Sequence, residues 1–267
     1  MDLIDIGVNF HTSQLAGHTS DILARAREAG LVSVMATGTS HKSSVQALHL
    51  ARAERGFVFA TAGVHPHSAD NWSPSDLERF ALLWESPEVV AIGECGLDYN
   101  RNFSSRENQR KAFSAQLRAA AAFKKPLFLH CRDAFEEFHA LVTEPGVGAV
   151  RGVVHCFTGT YDEALAFLAM GLDIGITGWV TDLNRGGALR EAVKGIPLER
   201  LHLETDAPYL SPKNLKRRRT YNEPANLRWV AHEVALLKGL PLEEVARRCT
   251  ENSGRLFSLK TTRPEMR

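Results

Sequence analysis

Eight short apolar runs rich in β-branched residues recur along the chain, at 3–9, 31–37, 57–64, 89–94, 126–131, 152–156, 172–177 and 201–206. The stretches between them carry helix-start signals. Ser73-Pro74-Ser75-Asp76 offers an N-cap with proline in the first turn, and Ser104…Glu107 and Thr160…Glu163 each match a capping box. Strand–helix alternation predicts a parallel sheet, because right-handed crossovers put every helix on the outside, and eight repeats predict an α/β fold closed as a TIM (β/α)8 barrel. An open doubly wound sheet would carry a Gly-rich phosphate fingerprint after an early strand, and the sequence has none. With 267 residues, 44% of them hydrophobic, the chain suffices for one large core. No low-complexity stretch, internal repeat or linker divides it, so residues 1–267 read as one barrel domain. The part after Pro241 reads as a last helix, and about 261–267 as a frayed tail.

In such a barrel the chemistry sits at the C-terminal ends of the strands. Four of the runs lead there into a potential metal ligand: Glu94, His130, His155 and Asp206. A carboxylate or imidazole at the end of a buried strand needs a partner, and several such ends meeting at one point make a metal site. Any one of these residues alone would be read as a hydrogen-bonded group in a polar pocket. Four at equivalent barrel positions reverse that preference. Two imidazoles and two carboxylates suit a divalent cation, with Glu94 able to bridge if two ions are bound.

Lys plus Arg (32) nearly cancels Asp plus Glu (31), so no global field draws in an anionic partner and any such attraction must be local. The first residues lack the basic stretch and apolar run of a signal peptide, and no apolar segment approaches the roughly 20 residues of a membrane span, so a cytoplasmic protein is expected. Cys95, Cys131, Cys156 and Cys249 form no CxxC pair, which fits a reducing compartment. The first three each follow a proposed ligand, and strand alternation would turn them to the opposite face as packing residues.

Five motifs occur in order at the strand ends: Gly63-Val64-His65-Pro66-His67, Gly93-Glu94-Cys95-Gly96-Leu97-Asp98, Leu129-His130-Cys131-Arg132-Asp133, Val154-His155-Cys156-Phe157-Thr158-Gly159 and Glu204-Thr205-Asp206-Ala207-Pro208-Tyr209. Together they resemble the TatD family of metal-dependent deoxyribonucleases, within the amidohydrolase-like barrels, over nearly the whole chain. The resemblance implies Glu94, His130, His155 and Asp206 as metal ligands, a DNA substrate, and exonuclease action from a 3′ end; a narrow barrel mouth would suit single strands or frayed ends better than intact duplex. Many relatives also carry His-x-His at the end of the first strand. Here Gly7 and Asn9 occupy those places. Losing two nitrogen donors tilts the preference from zinc towards magnesium, with manganese next, and leaves one or two ions open. His11 has the strand parity of Asn9 and is a weaker substitute ligand.

His65 and His67 flank Pro66, which holds His65 in extended geometry. They read either as surface histidines or as groups that contact phosphate or protonate the leaving oxygen. After the last strand comes Lys213-Asn214-Leu215-Lys216-Arg217-Arg218-Arg219, then Tyr221-Asn222-Glu223-Pro224. Such a run is either a solvated face or a cradle for a phosphate backbone. Arg132, Arg217 and Asn222 join His65 and His67 as candidate substrate contacts. Phe103, Trp179 and Tyr209 lie in loops on the same face and could stack on unpaired bases. The expected chemistry is phosphodiester hydrolysis by a monomer, with Asp206 as proton acceptor. The alternatives are a hydrolase of a small amide, ester or lactone on the same barrel, or a non-catalytic scaffold that retains it.

Overall fold

The computed structural model describes residues 1–215 and 220–259. Eight parallel strands follow one another in chain order: β1 (Leu3–Val8), β2 (Leu31–Ala36), β3 (Val58–Ala62), β4 (Val89–Asp98), β5 (Leu127–Arg132), β6 (Gly152–Val154), β7 (Leu172–Ile176) and β8 (Leu201–Leu203). The TIM-barrel expectation holds, with every run at its expected place. The seam between last and first strand is closed by a parallel bridge from Val8 to Ala207 and by Asn9 N–H donating to the Ala207 carbonyl at 2.7 Å.

Among the described residues ten helices pack around the barrel: α1 (Ser13–Ala16), α2 (Thr19–Glu28), α3 (His41–Ala53), α4 (Asp76–Trp84), α5 (Arg106–Phe123), α6 (Phe135–Val142), α7 (Tyr161–Ala169), α8 (Gly187–Gly195), α9 (Leu227–Lys238) and α10 (Leu242–Phe257). The Thr160 capping box forms as read: Thr160 Oγ1 accepts from Glu163 N–H and the Glu163 carboxylate accepts from Thr160 N–H. Two other caps shift. Helix α4 begins only at Asp76, whose carboxylate accepts from Ser73 N–H, so Asp76 folds the turn back on itself and Ser73 caps nothing. Ser105, one residue late, caps α5, because Ser104 Oγ is already accepting from Asp70 N–H.

One apolar layer lies between strands and helices, and a second fills the barrel: Ile6, Met35 and Phe128 stack inside, with Leu256, Phe257 and Leu259 closing the bottom. The last turn of α10 with Leu259 thus plugs the face opposite the strand termini. The residues expected to fray, about 261–267, lie outside the described residues.

Candidate metal centre

Glu94 is not at a strand end as its apolar run suggested, since β4 continues four residues beyond it to Asp98. The ladder to β5 slips between Gly93 and Cys95, and Glu94 N–H leaves it to donate to the Gly38 carbonyl at 2.7 Å. The flanking glycines permit this bulge. Gly93 (φ +138°) and Gly96 (φ +142°) adopt backbone that side chains rarely take, and a Cβ on either would stand 2.1 Å and 1.9 Å from the carbonyls of Phe128 and His130. The bulge re-aims Glu94 into the mouth of the barrel.

Three imidazoles meet one oxygen of that carboxylate. His65 Nε2 and His130 Nδ1 each lie 3.1 Å from Glu94 Oε1, and His155 Nε2 lies 2.7 Å from it. Burial pushes Glu94 up, but the surrounding histidines, His155 foremost, outweigh it and hold the carboxyl well below its usual range. For His155 burial favours the neutral form, yet Glu94 and Glu204 on either side raise it well above an ordinary histidine. Asp206 faces the same pocket and donates nothing to the cluster. Its Oδ1 accepts from Asn9 Nδ2 at 2.8 Å, and burial, opposed by His155 and reinforced by Glu94 and Glu204, pushes it up to about 7.

The donor set fits a divalent cation. His130 Nδ1 and His155 Nε2 converge on one oxygen of Glu94, and a cation there would find two imidazoles and a carboxylate from separate segments. Outer carboxylates sort these rings. His155 Nδ1 faces Glu204 Oε2 at 3.3 Å and His130 Nε2 faces Asp98 Oδ2 at 3.3 Å, so each ring can give its N–H outward and turn its lone pair toward Glu94. His65 is arranged the other way. Its Nδ1 accepts from His67 N–H at 3.0 Å, which leaves the proton on Nε2 and makes that atom a donor, not a ligand, while burial lowers the ring to about 4 despite Glu94.

Asp98 and Glu204 escaped the sequence reading. Both stood within the quoted motifs, four residues after one proposed ligand and two before another, and that shared strand parity was the available signal. Glu204, fully buried, also explains Gly7: a Cβ there would stand 2.7 Å from Glu204 Oε2. Gly7 therefore makes room for the carboxylate that orients His155. Asn9 serves Asp206, and His11 Nε2 faces Thr39 Oγ1 at 3.5 Å, with the charge of Glu94 near enough to act on its ring.

The remaining candidates divide. His67 Nε2 contacts Asp98 Oδ2 at 2.7 Å, and its ring meets the exposed Phe103 edge-on with centroids 4.7 Å apart. Arg132, exposed at the end of β5, forms no salt bridge among the described residues. Tyr209 is half exposed, whereas Trp179 is covered by the Arg185 guanidinium 4.4 Å above it. The structure does not bring Asn222 to the mouth. That side chain is fully buried, donating to the Thr205 carbonyl and accepting from Glu223 N–H and Asn226, so it is spent on the interior and out of reach of a phosphate. Arg217 lies outside the described residues. Cys95 packs outward as alternation requires. Cys156 does not, because β6 ends at Val154 and a left-handed backbone (φ 48°) brings its Sγ to 4.0 Å from Thr177 Oγ1.

Residues 4–258 match the family model for TatD related DNase. The chain is similar, at 50% identity over 260 residues covering 96% of it and 100% of the relative, to the 3'-5' ssDNA/RNA exonuclease TatD of Pantoea vagans (strain C9-1). Among solved structures it is similar to the TatD homologue YJJV of Escherichia coli K12 (TM-score 0.87, 28% identity, 96% and 98% of the two chains). A TatD family hydrolase of Entamoeba histolytica is comparably near (TM-score 0.85, 29% identity, 96% and 97%).

Proposed function

This chain belongs to the TatD related DNase family, and on that premise we propose that it is a metal-dependent nuclease hydrolysing phosphodiester bonds from the 3′ end of single-stranded DNA. The name of the Pantoea vagans relative supports RNA as a second substrate. The observation that carries the reading is the meeting of His130 in β5 with His65 and His155, from the segments just beyond β3 and β6, on one oxygen of Glu94.

In this reading Glu94, His130, His155 and Asp206 hold the cation, magnesium first and manganese or zinc as alternatives. When bound, such an ion supplies Lewis acidity at a phosphoryl oxygen and makes water a stronger acid. Asp206 would take the proton of the attacking water, holding metal and proton together. His65 is neutral at pH 7 and carries its proton on Nε2, so of its two suggested tasks contact with a phosphoryl oxygen is favoured over protonation of the leaving oxygen. Arg132 adds positive charge at the mouth, His67 is a further phosphate contact beside Asp98, and Phe103 and Tyr209 offer faces for unpaired bases. The whole chain acts as one barrel unit, a monomer in the cytoplasm. No helix among the described residues is long and apolar enough to cross a membrane.

The test is digestion of an end-labelled single-stranded oligonucleotide in EDTA, magnesium, manganese or zinc. Shortening from the 3′ end with a divalent ion, absent in EDTA and in Glu94→Ala, is the expected result. An unshortened ladder under every ion, or full activity of Glu94→Ala, overturns the reading.

A further inference from the structure

At the bottom of the barrel, on the face opposite the metal cluster, a hollow of about 600 Å³ opens between the starts of β3, β4 and β5 and the end of α10. Its walls include three aromatic rings, Phe59, Phe123 and Phe257. Around them stand four cations, Arg55, Lys124, Lys125 and Arg151, against a single carboxylate, Glu88. In a chain whose charges otherwise balance, 32 basic against 31 acidic, that is a marked local excess.

The cations are not consumed by the fold. Arg55, Lys124 and Arg151 are exposed and form no salt bridge among the described residues. Lys125 is held in place, its ammonium donating to the carbonyls of Ser86 and Val89 with no carboxylate in contact. Glu88 accepts from Ser86 Oγ at 2.7 Å and stands 3.9 Å from Arg52, a cation outside the hollow, so its charge is already shared. A second hollow of about 390 Å³ has Lys124, Lys125 and Arg151 in its wall as well, which places these three on a ridge between the two spaces.

Aromatic walls beneath an unpaired cationic rim suit a ligand with a flat ring and a compact anion, and a space of this size holds such a molecule. We propose that this hollow is a second ligand site, distinct from the metal cluster, which binds a nucleoside 5′-monophosphate with its phosphate on the Lys124–Arg151 ridge and its base against Phe59, Phe123 and Phe257. A longer strand would need a basic track leading away from the hollow, so the mononucleotide is the occupant argued for. The site does not depend on the nuclease reading, although a mononucleotide is also the class of product that reading yields.

The experiment is calorimetric titration of the full chain in EDTA with 5′-dAMP, adenosine and inorganic phosphate, repeated on Lys124→Glu/Arg151→Glu and on Arg55→Glu. Saturable 5′-dAMP binding is expected, weakened at least about tenfold in both charge variants, with adenosine and phosphate each binding more weakly than the nucleotide. Melting temperature and digestion of single-stranded DNA should be unchanged in these variants, since none of the three side chains is near the mouth. The proposal is overturned if the charge variants bind 5′-dAMP as the wild type does, if phosphate binds as well as the nucleotide, or if no saturable binding occurs. Loss of nuclease activity in the wild type would strike the proposed function alone.

Discussion

At the scale of single residues, the proposed ligands depend on carboxylates that stand behind them. Glu204 and Asp98 decide which nitrogen of His155 and His130 carries the proton, and hence whether a lone pair points inward. Glu204→Gln and Asp98→Asn keep size and hydrogen-bonding capacity but remove the charge that orients the ring. Manganese affinity measured by calorimetry should fall about 10–100-fold in each, with the far-UV dichroism of the wild type retained. Unchanged affinity would mean that packing alone sets the ring orientation. A second expectation concerns protons. Asp206 titrates at about 7 before any ion binds, and His155 sits well above the ordinary histidine value, so at neutral pH and below a cation must displace protons. Affinity should therefore weaken by at least about tenfold per pH unit as pH falls below about 7, with measurable proton release on binding. In Asp206→Asn that part of the slope should vanish. A pH-independent affinity in the wild type would contradict the assignment of Asp206 as ligand.

At the scale of elements, what was legible in the sequence followed local pattern, and what was not followed contacts between distant segments. All eight strands were visible because a buried parallel strand must be apolar on both faces. The Thr160 box was visible because both of its partners lie within one turn. Ser105 displaced Ser104 as the cap of α5 only because Asp70, some 35 residues away, engages both serines, and no local pattern carries that. The β4 bulge was hidden for the same reason. Gly93 and Gly96 were read as part of a motif, but the need for them lies in the carbonyls of Phe128 and His130 on the next strand. Four proposed ligands could be named from their positions after the apolar runs, whereas Asp98 is placed by the pairing of β4 with β5 beyond the bulge, and Glu204 and the burial of Asn222 depend on how β8 meets the seam. The bulge makes its own prediction. Gly93→Ala places a methyl 2.1 Å from a backbone oxygen at a φ of +138°, so urea denaturation should show a loss of more than about 2 kcal/mol. Thr160→Ala, a lost cap, should cost only about 1 kcal/mol. Equal costs for the two would deny the bulge its special geometry.

At the scale of the whole molecule, the barrel must close where its last strand meets its first, and one buried carboxylate spans that seam. Asp5 in β1 accepts from Thr205 N–H at 2.9 Å and Thr205 Oγ at 2.6 Å beyond β8, and from Gly7 N–H at 3.2 Å. These bonds hold the segment that carries Glu204 and Asp206, so closure and site geometry are coupled through this residue. Burial nevertheless dominates, and with the nearby charge of Glu204 it raises Asp5 from an ordinary 3.8 to about 7. Between those two values the folded barrel retains a proton that the unfolded chain has lost. Stability is therefore greatest below about pH 4 as far as this group is concerned, and it falls as pH rises through about 7, by on the order of 4 kcal/mol at most. Asp5→Asn presents the neutral form permanently: its oxygen can accept from the two backbone N–H groups while its amide donates to Thr205 Oγ. The variant should come closest to the wild type in urea denaturation at about pH 4 and exceed it most at pH 8, with the wild-type slope between these values flattened. If Asp5→Asn is instead less stable than wild type at pH 8, the ionised carboxylate holds the seam, and the barrel closes through a buried charge after all.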